Sequence, residues 1–341
     1  MTVLDLDRMS QVELLQQKFC DLPLILTGSP VERRAERIFD ELGERQLRLR
    51  PSIWLAEEWF NPDGAAGFGI PFYLVHPRLI RLERKLMLEA EGVADSECLR
   101  ILRHETGHAV DEAYQLFRTP EYRATFGSPR LPYPTSYAVK PHSRDYVIHL
   151  NAWYAQSHPV EDFAETFAVW LQPRRLWRRQ YRGWPALAKL EAVDRWLTAR
   201  AGQMPPLAPA EAFDELARNK RTLAEHYEEK RAFYGIAQAT NLDPHLKRIF
   251  PEPSSAVDIG RRHRSAVSAI RAIRTPLRKE IARPLGVPAY TVNQVLRQII
   301  HRAKALGLKQ TRPMEETTGA LTRLVSRTTI DIINKGQRLP L

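Results

Sequence analysis

The residues best placed for chemistry are His104-Glu105-Thr106-Gly107-His108. Two histidines at i and i+4 of a helix lie one turn apart on the same face, so both can aim a ring nitrogen at one ion. That arrangement suits zinc, and Glu105, beside His104, is placed to take the proton of a zinc-activated water. The pattern is short, and two ordinary histidines on a solvated face would read the same way. A catalytic zinc needs a third protein ligand and an open coordination position. Glu161-Asp162-Phe163-Ala164-Glu165 supplies carboxylates of the right kind, with Glu161 and Glu165 on one helical face and Phe163 and Phe167 on the other. Glu161 is assigned to the metal, and Glu165 to the far nitrogen of a ligand histidine.

Other polar residues nearby compete for roles. Asp111 and Glu112 continue the histidine helix and could orient His108, although exposed helix acids are common. His158 is an alternative third ligand, but Pro159 behind it marks a helix start. His142 and His149 precede that helix with no spacing argument. Gly67 to Leu74 contains Pro71 and reads as an edge strand that an extended peptide could join, or as an edge strand with no ligand at all.

The run from Trp153 through Glu161-Asp162-Phe163-Ala164-Glu165 to Ala168 resembles the second motif of the bacterial putative zinc-binding metallopeptidases. More distantly it is similar to the catalytic domain of anthrax lethal factor. Both are zincins with a glutamate ligand, and the resemblance spans Leu99 to Leu171. It implies that Glu161 binds the metal, that Glu165 supports a ligand, and that Tyr154, seven residues before Glu161, assists the transition state by a hydrogen bond to the oxyanion. Tyr146 is held in reserve for that role, and a plain packing aromatic is the alternative for Tyr154. The N-terminal cysteines of a zinc ribbon, frequent in that family, are missing here.

These residues need helices to carry them. Asp95-Ser96 supplies a helix start, and Leu99, Leu102, Thr106, Ala109 and Ala113 recur at steps of three and four. A second helix is predicted from Ser157-His158-Pro159 to Leu171. Upstream, helices are predicted over the first twenty residues and from Ser29-Pro30 to Leu42, with a strand at 22–26 between them. A small mixed sheet is expected from 47–60 and 68–82, and a loop over 119–137. Helices are predicted again near 186–201 and 210–233. The expected fold is α+β: a zincin-like core of a small mixed sheet plus active-site helices, with an all-helical C-terminal extension. Met204-Pro205-Pro206-Leu207-Ala208-Pro209 breaks the chain, giving a metallopeptidase domain at 1–204, a helical linker at 205–256 and a basic helical accessory domain at 257–341.

Composition narrows the class. A chain of 341 residues with 43% hydrophobic content supports a sizeable core. Cys20 and Cys98 are too few for a disulfide framework or a cysteine zinc site, and they read as buried small hydrophobes in a reducing cytoplasm. The apolar runs are too short to span a bilayer. The net charge of +11 is concentrated after Val257, where 17 Lys and Arg face five acids. Lys279 to Leu296 has the rhythm of a helix-turn-helix around Gly286, with Arg297, Arg302 and Lys304 as candidate phosphate contacts. The reading is a cytoplasmic zinc metallopeptidase acting on a peptide or protein. The alternatives are a nucleic-acid-associated protease whose tail binds DNA or a protein partner, and a non-catalytic zinc protein.

Overall fold

The computed structural model describes residues 4–134, 137, 140, 143–172, 176–209, 215–234, 242–251, 263–287 and 289–334. The chain divides into two compact units: Met1–Leu86 with Ala90–Glu228, and Met87–Glu89 with Glu229–Leu341. Among the described residues no helix is long and apolar enough to cross a membrane.

The first unit is α+β, with far more helix than strand. Helix α1 is only Gln11–Leu15, closed by a capping box between Ser10 and Glu13. The longer helix expected over the first twenty residues does not form: a 3-10 turn, Phe19–Asp21, follows, and Val12 is 71% exposed. No strand forms at 22–26. Helix α2, Pro30–Glu44, begins where Ser29 caps it and Pro30 opens its first turn, and it buries Val31, Ala35, Ile38, Phe39 and Leu42.

The sheet is smaller than expected, with two strands, β1 Ser52–Ala56 and β2 Gly67–Pro71, paired in parallel with Ser52 opposite Gly67. After Pro71 the chain leaves the sheet for a 3-10 turn, Phe72–Val75, and helix α3, Pro77–Met87, so the strand character read over 68–82 ends early. All five residues of β2 are buried, and its other side is bridged by Phe60 at Gly69. It is therefore not the open edge considered above for a peptide.

Helices α4, Asp95–Tyr114, and α6, Pro159–Leu171, form the centre. Between them the segment expected as a loop contains helix α5, Pro120–Phe126, capped by Thr119. Its Tyr122 and Phe126 rings pack on Phe163 of α6 at 5.3 and 5.5 Å. The short helix α7, Trp177–Gln180, and α8, Ala186–Thr198, follow.

The unit runs past the proline-rich break after Met204. Helix α9, Glu215–Arg218, and α10, Leu223–Phe233, are separated at Asn219–Thr222, where the backbone pairs with Lys18–Cys20. Glu57, just after β1, accepts hydrogen bonds from Asn219 at 2.7 Å, Arg221 at 3.0 Å and His226 at 2.7 Å. This polar knot ties residues assigned above to a linker onto the sheet.

The second unit is helical: α11 Asp243–Ile249, α12 Ala266–Leu285, α13 Ala289–Ala305 and α14 Met314–Asn334. Leu246, Ile270, Val292, Val295, Ile299, Leu321 and Val325 are buried in its core. Gly286, in the left-handed region at φ 62°, ends α12 and allows the turn into α13. Pro284 falls in the last turn of α12 and removes one main-chain donor there.

Candidate metal centre

Gly107 is the reason α4 and α6 can cross so closely. A Cβ added there would lie 3.0 Å from Ala164 Cα and from Phe167 Cδ1, and 3.1 Å from the Ala164 carbonyl oxygen. Gly107 sits between the two histidines in sequence and Ala164 between the two glutamates, so the contact brings one set of side chains onto the other. Phe163, Phe167 and Trp170 fill the buried side of α6, each no more than 2% exposed.

His104, His108 and Glu161 converge, each buried, with one candidate ligand atom apiece inside a 4.8 Å span. His104 Nε2 lies 3.1 Å from His108 Nε2 and 3.0 Å from Glu161 Oε2, and His108 Nε2 lies 3.2 Å from that same oxygen. Three ligand atoms at zinc bonding distance in a tetrahedral site are separated by roughly 3.3 Å. The triangle is close to that face, and its N/N/O composition is the donor set of catalytic zinc.

The surroundings favour positive charge at this point. Burial opposes a charged His104, yet its hydrogen bonds to Glu161 and Glu165 outweigh that and hold its proton affinity well above the ordinary histidine value. Burial likewise opposes a charged Glu161, but His108 and His104 keep it well below the usual carboxylate range. Two buried carboxylates beside two imidazoles are matched by positive charge here, whether a proton on His104 or a bound cation.

Glu165 does not join the triangle. It accepts from His104 Nδ1 at 2.9 Å through Oε1, and from the Leu150 backbone N–H at 2.8 Å through Oε2. A carboxylate in this setting only accepts, so the proton sits on Nδ1 and His104 Nε2 faces the triangle. Glu105 is buried at 8% exposure beside the cluster, and burial raises its pKa against the pull of His104 and His108.

Tyr154 packs its ring 5.4 Å from that of His104. Its backbone is aimed by Trp153, which takes the left-handed conformation at φ 53°, uncommon for a bulky side chain. Burial and the charges of Glu161 and Glu105 push the Tyr154 hydroxyl well above its ordinary value, so it stays a donor. Tyr146, the reserve candidate, instead lays its ring 4.2 Å from Lys189 Nζ.

The remaining candidates are engaged elsewhere. His158 caps α6, its Nδ1 accepting from the Val160 N–H at 3.3 Å, while its Nε2 meets the Leu131 carbonyl at 2.9 Å. His149 Nε2 meets the Arg100 carbonyl at 2.9 Å. Asp111 accepts from the Phe117 N–H at 2.9 Å and so closes the end of α4. His142 lies outside the described residues.

One participant was not anticipated. Tyr133 donates from its hydroxyl to Glu161 Oε1 at 2.9 Å, the oxygen turned away from the histidines, and its ring stacks on His158 at 4.0 Å. It lies in irregular chain, and no periodicity points to it; the only signal was its place in a tyrosine-rich segment before the second motif.

Residues 97–178, which contain both motifs, match the model of a family described as putative zinc-binding metallo-peptidase. No curated protein and no solved structure matches the chain.

Proposed function

We propose that this protein is a zinc-dependent metallopeptidase that hydrolyses peptide bonds at the cluster of His104, His108 and Glu161, with Glu105 as general base. The observation that carries the reading is the convergence of those three side chains in the segment that matches a zinc-binding metallopeptidase family. Zinc, when bound there, supplies Lewis acidity, bringing the pKa of a water toward about 7 and polarising a peptide carbonyl.

The chain's own residues do the rest. His104, His108 and Glu161 would hold the ion, and Glu165 fixes the His104 ring by accepting from Nδ1. Glu105, its proton affinity raised by burial, takes a proton from the attacking water and passes it to the leaving amine. Tyr154 donates a hydrogen bond to the developing oxyanion, a contribution typically of about 3 kcal/mol. Both cysteines are free, with Cys98 buried and Cys20 partly exposed, which fits a reducing cytoplasm.

The test is cleavage of an unbiased peptide library with zinc content measured on the same samples. Glu105→Gln should retain stoichiometric zinc and lose activity by roughly 100-fold or more, while Glu161→Ala should lose the zinc. Equal cleavage by the wild type and Glu105→Gln would sink the peptidase reading. Zinc retention without any cleavage by the wild type would leave a structural metal mount.

A further inference from the structure

The second unit holds a cationic cluster. Some of its arginines have acidic partners: Arg302 reaches Asp243 through Nε at 2.9 Å and Nη2 at 2.6 Å, and Arg327 lies 4.0 Å from Asp331. Arg302 was a candidate phosphate contact in the sequence and is spent in this pair. Four others gather on α12 and α13 without such a partner among the described residues. Arg271, Arg274 and Arg278 follow at steps of three and four along α12, which puts them on one face. Arg297 is on α13, one turn beyond Asn293.

Asn293 joins the two helices. It is 1% exposed, and its Oδ1 accepts from Arg274 through both Nε, at 2.8 Å, and Nη2. A buried amide thus sets the orientation of one guanidinium, and the i+4 relation of Asn293 to Arg297 places a second beside it. Partial burial and the charges of Arg297, Arg278 and Arg271 together depress the Arg274 pKa, as crowded cations require. Arg278 Nε is buried and has no hydrogen-bond acceptor among the described residues. Holding like charges together costs stability that a bound anion offsets, and the planar fork of arginine matches the oxygens of a phosphate.

We propose that the face formed by Arg271, Arg274, Arg278 and Arg297 binds the phosphate backbone of double-stranded nucleic acid. A single strand is a poorer fit, because α12 and α13 expose no Phe, Tyr or Trp on which unpaired bases would stack, and Tyr290 is only 9% exposed. A membrane surface is also a poorer fit. Among the described residues from 242 to 334, Ile330 on α14 is the one large hydrophobic side chain markedly exposed, too little for an interfacial anchor.

The test is fluorescence anisotropy of the full-length chain on a labelled duplex DNA of about 20 base pairs over a range of salt. The logarithm of the binding constant should fall with the logarithm of salt at a slope of about −3 or steeper, near −0.9 per phosphate. Arg271→Gln/Arg278→Gln/Arg297→Gln should weaken binding by roughly 30-fold or more at about 0.1 M salt and flatten the slope by about 2 to 3. Arg297→Gln alone, at an exposed position, should flatten it by about 0.9. Arg274 is left in place because Asn293 depends on it. Arg323→Gln/Arg327→Gln on α14 should leave the slope nearly unchanged. The proposal is overturned if the wild type does not bind the duplex, or if the α14 variant loses as much as the α12–α13 variants. Tighter binding to the single strand or to phosphatidylserine vesicles also overturns it.

Discussion

Tyr133 and Tyr154 approach the same cluster from different stretches of chain, and on the proposed reading their hydroxyls should have different tasks. Tyr133 holds the Glu161 oxygen that faces away from the histidines, so its loss should loosen the carboxylate. Outer hydrogen bonds to metal ligands are commonly worth 10- to 100-fold in affinity, so Tyr133→Phe is expected to weaken zinc binding about 10-fold, read by competition with a chromophoric chelator. Tyr154→Phe should leave zinc affinity unchanged and lower kcat by roughly 100-fold, read from initial rates. The opposite pattern would exchange the two roles. These residues also mark how far the sequence could be read. His104, His108, Glu161 and Glu165 obey helical spacing, and Tyr154 was reached through a family resemblance. Tyr133 touches Glu161 only because irregular chain folds back over α6, and no local rule encodes that.

Between α4 and α6 the decisive contact is backbone to backbone. Alanine at position 107 would gain about 1 kcal/mol of helix propensity over glycine. Its methyl would press on the Ala164 main chain, which cannot rotate aside as a side chain would, and overpacking of this kind costs about 1–3 kcal/mol. Gly107→Ala is therefore expected to be net destabilising in urea titration and to weaken zinc binding as the helices part; unchanged stability and affinity would show that they can move freely. At the other end of the unit, burial tends to raise the Glu57 pKa, but His226, Arg221 and Asn219 outweigh it and hold it below the ordinary value. The stability this carboxylate contributes is present above an unfolded pKa near ~4.3 and is lost as pH falls through its lower folded value. Glu57→Gln should cost about 1–3 kcal/mol at neutral pH, with the difference from wild type shrinking below about pH 4. An equal penalty at every pH would mean that charge is not involved. The two motif helices were legible because helix-start residues, an acid at Asp95 and a proline at Pro159, agree with the apolar periodicity that follows them. The sheet was not, since β2 is buried on both faces and lacks the alternation that marks a half-exposed strand. The knot at Glu57 joins residues far apart in sequence and left no local trace.

Two compact units in one chain make a single unfolding midpoint an unsafe description. The candidate metal ligands all belong to the first unit, so chelation should act there alone. A ligand at about 1,000 times its Kd stabilises the folded state by roughly 4 kcal/mol, which for a unit of this size corresponds to about 8–16 °C in Tm. Scanning calorimetry with EDTA is expected to move one transition down by that order and leave the other in place; an unmoved scan would argue against a resident metal. The carboxylate of Glu165 has a wider consequence. It accepts from the Leu150 backbone N–H through one oxygen and from His104 through the other, so the order of the chain before α6 and the aim of a candidate metal-binding ring share one group. On the proposed reading, thermodynamic reciprocity would make each an effector of the other: loosening the chain at Leu150 should weaken the hold on the ion, and ambient zinc should set how firmly that stretch is folded.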